Sequence, residues 1–330
     1  MAVPTQETIE VDETLRETDS AYHSDLRSYT TSIASSVEAY PWLHGRRFHA
    51  YKEGSYQFPN DEKEQDRLDL VHALHSIIKD DKLFFAPLTA NSLKRVLDVG
   101  TGTGLWAICV GEEFPNATVV GNDFSPIQPR WVPPNVLFEV DDVEAEWPAA
   151  SVREPFDLIH VRYMAGSIQD WPRLLRNCYD GLAPGGWVEC SDWDLLPYST
   201  DASMPEDDAV LRLHQYLVEA TDKLGRTVRP GPNLEEWVKD AGFVNVKHEL
   251  RVVPFGMWAK NEKHKKAGAV NQMQFMEGME AFTIGLFTRT LGWTADEVRV
   301  FLEEVKKDAL KKDRHRQFNF HVVYAQRPQE

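Results

Sequence analysis

Asp98-Val99-Gly100-Thr101-Gly102-Thr103-Gly104 is the segment of this chain whose residue types and spacing point most directly to chemistry. It follows an apolar run, RVLDVG at 95–100, and opens an apolar helix-like stretch, LWAICVGEEF at 105–114. A turn in that position must be tight, and without a Cβ at its glycines the backbone amides can approach a ligand closely. The acid ahead of the first glycine offers a charge partner to an ammonium, while the start of the following helix offers amide donors to a carboxylate. Those are the two ends of an amino acid. The dinucleotide fingerprint G-x-G-x-x-G needs a glycine where this chain has Leu105, so a nicotinamide-dependent oxidoreductase is the weaker reading.

Further acids follow at regular places. Asp123 ends the apolar run TVVGND at 118–123, where a carboxylate can accept from both hydroxyls of a ribose, and Phe124 beside it can cover a purine face. After the run VLFEV at 136–140 come Asp141, Asp142 and Val143. A carboxylate there can accept from the exocyclic amine of adenine, and the paired acids leave open which one does. An amino acid, a ribose and an adenine are joined in S-adenosylmethionine. At the end of a fourth run, FDLIHV at 156–161, His160, Arg162 and Tyr163 fall at the carboxyl edge of the expected sheet, facing cofactor and acceptor. His160 and Tyr163 are therefore the candidate catalytic residues. His160 can take a proton from an acceptor, with a hydrogen-bonded structural histidine as the competing reading, and Arg162 can bind a carboxylate of cofactor or substrate.

These residues need a scaffold. From Arg95 onward, short runs rich in Val, Ile and Leu alternate with helix-length segments, the rhythm of a parallel α/β sheet. A fifth strand is expected at 187–193 (WVECSDW), helices near 207–224 and 234–241, and strands at 243–255 and 318–326. The stretch 261–308 reads as mostly helical. Within it, NQMQFMEGMEAFTIGLF at 271–287 is first a helix core and second a substrate cradle. Toward the start, an acidic tail at 1–20 precedes a helix near 21–37 and an aromatic, basic loop at 45–61. Asp61 and Glu64 then resemble a capping box ahead of Leu68, Val71, Leu74, Ile77 and Ile78. Trp171, Trp187 and Trp193, with Tyr51 and Tyr56, would suit a flat aromatic acceptor, and each is also an ordinary core residue. His214, His264, His315 and His321 show no metal-ligand spacing and read as structural or surface residues, so no metal is expected. Cys109, Cys178 and Cys190 are few, distant and set in apolar sequence, which favours buried free thiols.

Longer strings narrow the reading. GRRFHAYKEGSYQFPNDEKEQDRLD, LDVGTGTGLWAI, DFSPIQPRWVPPNVLFEVDDVEAEW, IHVRYMAGSIQDWP, LAPGGWVE, TRTLGW and HVVYAQRP together make the chain resemble the class I S-adenosylmethionine-dependent methyltransferases, and within them the fungal LaeA-like group. The resemblance implies a doubly wound seven-stranded sheet of Rossmann-like type with its last strand antiparallel. It also implies that Asp98 to Gly102 bind the methionine end, Asp123 the ribose, and Asp142 with Val143 the adenine. On this reading the tail at 1–20 is followed by a helical cap at 21–92 and a cofactor-binding core at 93–256. A helical lid at 257–316 and the final strand of the core at 317–330 complete the chain.

Composition bounds the function. The chain has 330 residues, with 36 Lys and Arg against 52 Asp and Glu for a formal charge of −16, which repels a phosphate backbone and disfavours nucleic acid as a partner. No apolar run has the length of a membrane span, and the first residues lack the basic start and apolar core of a signal peptide, so a cytoplasmic location is expected. The expectation is a methyltransferase acting on a small molecule, with fungal secondary metabolism implied by the resemblance alone. The alternative is a LaeA-like regulatory protein that binds S-adenosylmethionine and works through protein partners, with the nucleus as its setting. A protein partner or a homodimer stays open.

Overall fold

The computed structural model describes residues 40–43, 45–48, 59–147 and 154–330. The expected tail at 1–20, the helix near 21–37, and Tyr51 and Tyr56 lie outside the described residues. A two-residue pair, β1 (Trp42–Leu43) and β2 (Arg46–Arg47), leads to α1 (Glu62–Ile78). The core then runs β3 (Arg95–Val99), α2 (Leu105–Glu113), β4 (Thr118–Asp123), β5 (Val136–Val140), β6 (Phe156–Arg162), α3 (Trp171–Gly181) and β7 (Leu182–Tyr198). It continues through α4 (Ala209–Asp222), α5 (Leu234–Asp240), β8 (Val244–Pro254), α6 (Glu262–Thr290), α7 (Ala295–Ala309) and β9 (Gln317–Gln326).

Seven strands form one sheet in the order β5-β4-β3-β6-β7-β9-β8. The first five pair in parallel, and β9 runs antiparallel between β7 and β8. This is the doubly wound sheet that the sequence implied, with its last strand reversed. Chain order turns back at β3 and β6, and the crevice beyond their carboxyl ends is where such sheets bind ligands. The central strands are buried on both faces, so they read as unbroken Val, Leu and Ile runs. The fifth strand is longer than its apolar run announced. Its N-terminal part, Leu182 to Gly186, carries Pro and Gly, and its far end, Asp194 to Tyr198, crosses a register irregularity against β9.

Asp61 caps α1, its Oδ1 accepting from Glu64 N at 3.1 Å. The reciprocal half of the expected capping box does not form, because the Glu64 carboxylate turns inward to the Arg67 guanidinium at 2.6 and 2.9 Å. The other end of α1 is tied to the sheet by a buried pair, Lys79 Nζ to Glu189 Oε1 at 2.6 Å, while Glu189 Oε2 accepts from the amides of Phe85 and Ala86. The stretch expected to be mostly helical is α6 and α7, with Thr294 forming a complete capping box at the start of α7. Helix α6 lies along α1, and Gly278 permits the close approach: a Cβ there would stand 2.6 Å from Cδ of Arg67. Cys178 and Cys190 are buried thiols and Cys109 is half-buried. Among the described residues no helix is long and apolar enough to cross a membrane, and no group of three side chains has the arrangement of a metal site.

Candidate active site

A cavity of about 1090 Å³, counting its open mouth, lies beyond the carboxyl ends of β3, β4, β5 and β6. Its wall includes Asp98, Gly100, Thr101, Gly102, Asp123, Phe124, Asp141, Asp142, Val143, Arg162 and Tyr163. Residues spread over sixty positions of sequence thus meet at one sheet edge, and they do so because parallel strands present all their carboxyl ends on one side.

The turn after β3 is built as its glycines imply. Gly100 has φ +65°, a conformation that disfavours a side chain, and a Cβ on it would stand 2.4 Å from the sulfur of Met164, which would have to move to admit it. Thr101 Oγ1 donates to Asp98 Oδ2 at 2.6 Å, folding the turn back on the acid that precedes it. Gly102 N donates to Asp123 Oδ2 at 2.9 Å, and Ser125 N donates to Asp123 Oδ1 at the same distance. Asp123 therefore joins the turns after β3 and β4 while lining the cavity. After β5, Asp141 Oδ1 accepts from Asp142 N and Asp142 Oδ1 accepts from Glu144 N, which orders the loop that carries Val143.

Asp98 is 4% exposed, and burial pushes its carboxyl up to about 6 against the opposing pull of Arg162, Thr101 and His72. Its second partner is His160 Nδ1, 2.9 Å from Asp98 Oδ1, a contact dictated by register because the two residues face each other on β3 and β6. His160 is fully buried, absent from the cavity wall, and stacked on Trp106 with ring centroids 3.7 Å apart. Burial holds its imidazole neutral. A proton acceptor must reach the group it deprotonates. From beneath the cavity floor His160 holds Asp98 in place, which is a positioning task and not the proton transfer expected from sequence. Arg162, half-buried at the end of β6, has Nη2 3.4 Å from His72 Nδ1. Among the described residues no carboxylate lies within ion-pair distance of it.

Tyr163 occupies the left-handed region, φ +61°, immediately after β6. A non-glycine residue held there costs of order 1 to 3 kcal/mol and persists only where its surroundings impose it. Here Tyr163 N donates to Ser191 O at 3.0 Å and Met164 N donates to Asp192 Oδ2 at 2.7 Å. The phenol accepts from Arg67 Nη1 at 2.9 Å. Burial raises the phenol above its ordinary value, so it keeps its proton and can donate it in a hydrogen bond.

Tyr163 and Ser167 also line a second cavity of about 840 Å³. Its walls are mostly apolar and aromatic, with Trp193, Leu195, Phe255, Phe275, Phe282 and Phe318 among them, and Arg67, His214, Thr221, Asn271 and Gln274 add polar points to those of Tyr163 and Ser167. Sequence reasoning found little of this chamber. Of the aromatics expected to serve an acceptor, Trp193 lines it, while Trp171 packs on Trp237 at 5.6 Å and Trp187 on Tyr324 at 6.0 Å, both away from it. The segment at 271–287 supplies both core and cavity: Asn271, Gln274, Phe275, Phe282 and Leu286 face the chamber, so the cradle reading holds for one side of the helix. Arg67 belongs to one of the strings that carried the resemblance, and its type alone gave no sign of a site.

A doubly wound sheet whose crevice combines a glycine turn, a buried acid and three later acids defines an α/β protein with a second chamber beside the first. Residues 70–248 match the family described as "Methyltransferase domain". A protein named methyltransferase pytC from Aspergillus terreus is 49% identical over 306 residues, covering 92% of this chain and 93% of that protein. A secondary metabolism regulator laeA from Aspergillus flavus is 34% identical over 314 residues, covering 93% of this chain and 83% of that protein. Among solved structures, Haemonchus contortus phosphoethanolamine N-methyltransferase 2 in complex with S-adenosyl-L-methionine aligns with a TM-score of 0.46 at 19% identity. That alignment covers 78% of this chain and 53% of the other, so this chain spans about half the length of that protein. The chain belongs to the methyltransferase domain family, and it is a methyltransferase of the fungal LaeA-like group.

Proposed function

We propose that the protein transfers the methyl group of S-adenosylmethionine to an uncharged, largely apolar small molecule held in the second cavity. The observation that carries this reading is the shared wall: Tyr163 and Ser167 line both chambers, so a donor in one and an acceptor in the other would be neighbours. The donor site fits its ligand chemically. Asp98 is a buried carboxylate whose pKa is raised by burial, and a ligand ammonium beside it would favour the ionised form. Arg162 and the amides at the start of α2 suit the ligand carboxylate, and Asp123 suits the ribose hydroxyls. Phe124 can cover the purine, while Asp141, Asp142 and Val143 border the adenine end. When bound, the cofactor supplies a carbon already activated by a sulfonium.

The residues of this chain then have three tasks. They align the nucleophile, exclude water and orient the acceptor. Tyr163, protonated and fixed by Arg67, donates a hydrogen bond at the boundary between the chambers, and His160 keeps Asp98 aimed into the first.

The name of the A. terreus relative supports an enzyme, and that of the A. flavus relative supports a setting in fungal secondary metabolism. The regulatory alternative gains no specific support from the site, since a recessed aromatic chamber suits a small molecule better than a protein partner. A cytoplasmic location belongs to this reading and a nuclear one to the regulatory alternative, while the formal charge of −16 disfavours nucleic acid as a partner. Calorimetric titration with S-adenosylmethionine and S-adenosylhomocysteine, with NADH as control, tests the donor half. Micromolar binding of both sulfur ligands is expected, and folded protein that binds neither would end the enzymatic reading.

A further inference from the structure

His214 was expected to be structural, yet it stands on the wall of the second cavity, carried by α4 and flanked by Phe275 and Phe318 at ring-centroid distances of 5.5 and 5.2 Å. Its Nδ1 lies 2.8 Å from the carbonyl oxygen of Val210, one turn earlier in the helix. A carbonyl only accepts, so Nδ1 carries the ring proton and Nε2 keeps an unprotonated lone pair. Among the described residues Nε2 has no hydrogen-bond partner. Burial lowers the ring pKa to about 4, so the lone pair stays available at neutral pH.

The charge of the chamber bears on what enters it. Among the described lining residues Arg67 is the one cation, and Glu64 already holds it through two contacts of 2.6 and 2.9 Å. Among the described residues no carboxylate or lysine lines the wall. A charged acceptor would lose its hydration without gaining a counter-charge, which favours a neutral one. The wall hydroxyls of Tyr163, Ser167 and Thr221 can donate or accept, whereas Nε2 of His214 can only accept, so the chamber discriminates for a molecule that brings a hydroxyl donor; a ligand lacking it leaves the lone pair buried and unpaired.

We propose that His214 is a specificity-determining residue, and that the second cavity takes a neutral aromatic molecule whose hydroxyl donates to Nε2. The proposal rests on the methyltransferase reading of the paired chambers. Its structure predicts selectivity, not a proton transfer, since so weak a base makes a poor proton acceptor.

The test uses the full chain with S-adenosylhomocysteine present and three probes of one ring skeleton: 2-naphthol, 2-methoxynaphthalene and 2-naphthoate. Binding is followed by intrinsic tryptophan fluorescence, with Trp193 on the chamber wall as reporter. Wild-type protein should prefer 2-naphthol to its methyl ether by about tenfold and take 2-naphthoate most weakly. His214→Phe should erase the preference by weakening 2-naphthol alone, and His214→Gln, which restores an acceptor, should recover part of it. Persistence of the preference in His214→Phe, tightest binding of 2-naphthoate, or no binding of 2-naphthol would each overturn the proposal. Titration of the same variants with S-adenosylhomocysteine separates the two levels. If that ligand binds while the probes are not discriminated, only the role of His214 falls; if it does not bind folded wild-type protein, the methyltransferase reading of the chambers falls with it.

Discussion

Acidification should weaken cofactor binding through Asp98, and the structure sets both the sign and the size of the effect. Asp98 accepts from Thr101 Oγ1 at 2.6 Å and faces His160 Nδ1 at 2.9 Å, yet burial dominates and its pKa rises from 3.8 to about 6. A carboxyl raised in this way contributes stability that is fully present below its unfolded value and lost as pH rises through about 6, because the ionised form is the costly one to bury. A ligand ammonium reverses the preference by favouring the ionised form. Affinity should therefore be full at pH 7.5 and fall as the solution is acidified through about 6. At pH 5 about one Asp98 in eleven is ionised in the free protein, so the apparent Kd should be about tenfold higher than at pH 7.5. Calorimetric titration with S-adenosylhomocysteine from pH 5 to 8 at fixed ionic strength measures this directly, and binding at pH 5 should release a proton. Asp192, pushed up to about 7 by its own burial, supports the neighbouring Tyr163 turn and adds a slope of its own. Asp98→Asn isolates the contribution of Asp98: binding should be weaker at pH 7.5, and the slope between pH 5 and 6 should flatten. An unchanged slope in that variant, or a flat profile in the wild type, would refute the assignment of Asp98 to the ammonium.

Three further outcomes follow from the same geometry. Asp123→Ala should weaken S-adenosylmethionine binding by roughly 1 to 3 kcal/mol through loss of charged hydrogen bonds, read by titration with circular dichroism as the folding control; undiminished affinity in folded protein would remove Asp123 from the ribose. Gly100→Ala, with φ +65° and a Cβ 2.4 Å from the Met164 sulfur, should cost about 1 to 3 kcal/mol in urea unfolding and impair ligand binding, and a variant of wild-type stability would show that this turn relaxes freely. Arg67→Met strands the Glu64 carboxylate, whose side chain is 4% exposed, and should destabilise the fold by about 3 to 5 kcal/mol. Adding Glu64→Gln should restore much of that loss in thermal melts, and a single variant that melts like the wild type would show that the pair is not needed.

Much of the first cavity's lining was legible because its signals are local. A glycine turn between an apolar strand and an apolar helix has few other uses, and an acid at the end of each of the next two strands repeats one geometric position. Eleven of the twelve expected site residues line one cavity. The exception, His160, was misread for an intelligible reason. Its place near the end of β6 pointed to the sheet edge, whereas its side chain pairs across the strands with Asp98 and is roofed by Trp106 from α2. Whether a strand residue near the edge faces a ligand or a neighbouring helix depends on how that helix packs, and no local pattern states it.

The sequence by itself determined the sheet, its reversed last strand by way of resemblance, and the glycine turn at the sheet edge, since strand periodicity and glycine conformation are properties of a few adjacent residues. Only the tertiary structure decided the second chamber. Arg67, Tyr163, Trp193, His214, Phe275, Phe282 and Phe318 come from segments up to 251 positions apart and meet because α1, α4 and α6 close over the same sheet edge. Each of these residues is an ordinary core side chain in its own window of sequence. Their common cavity follows from the crossing of packed elements, a relation between distant segments that no single segment encodes.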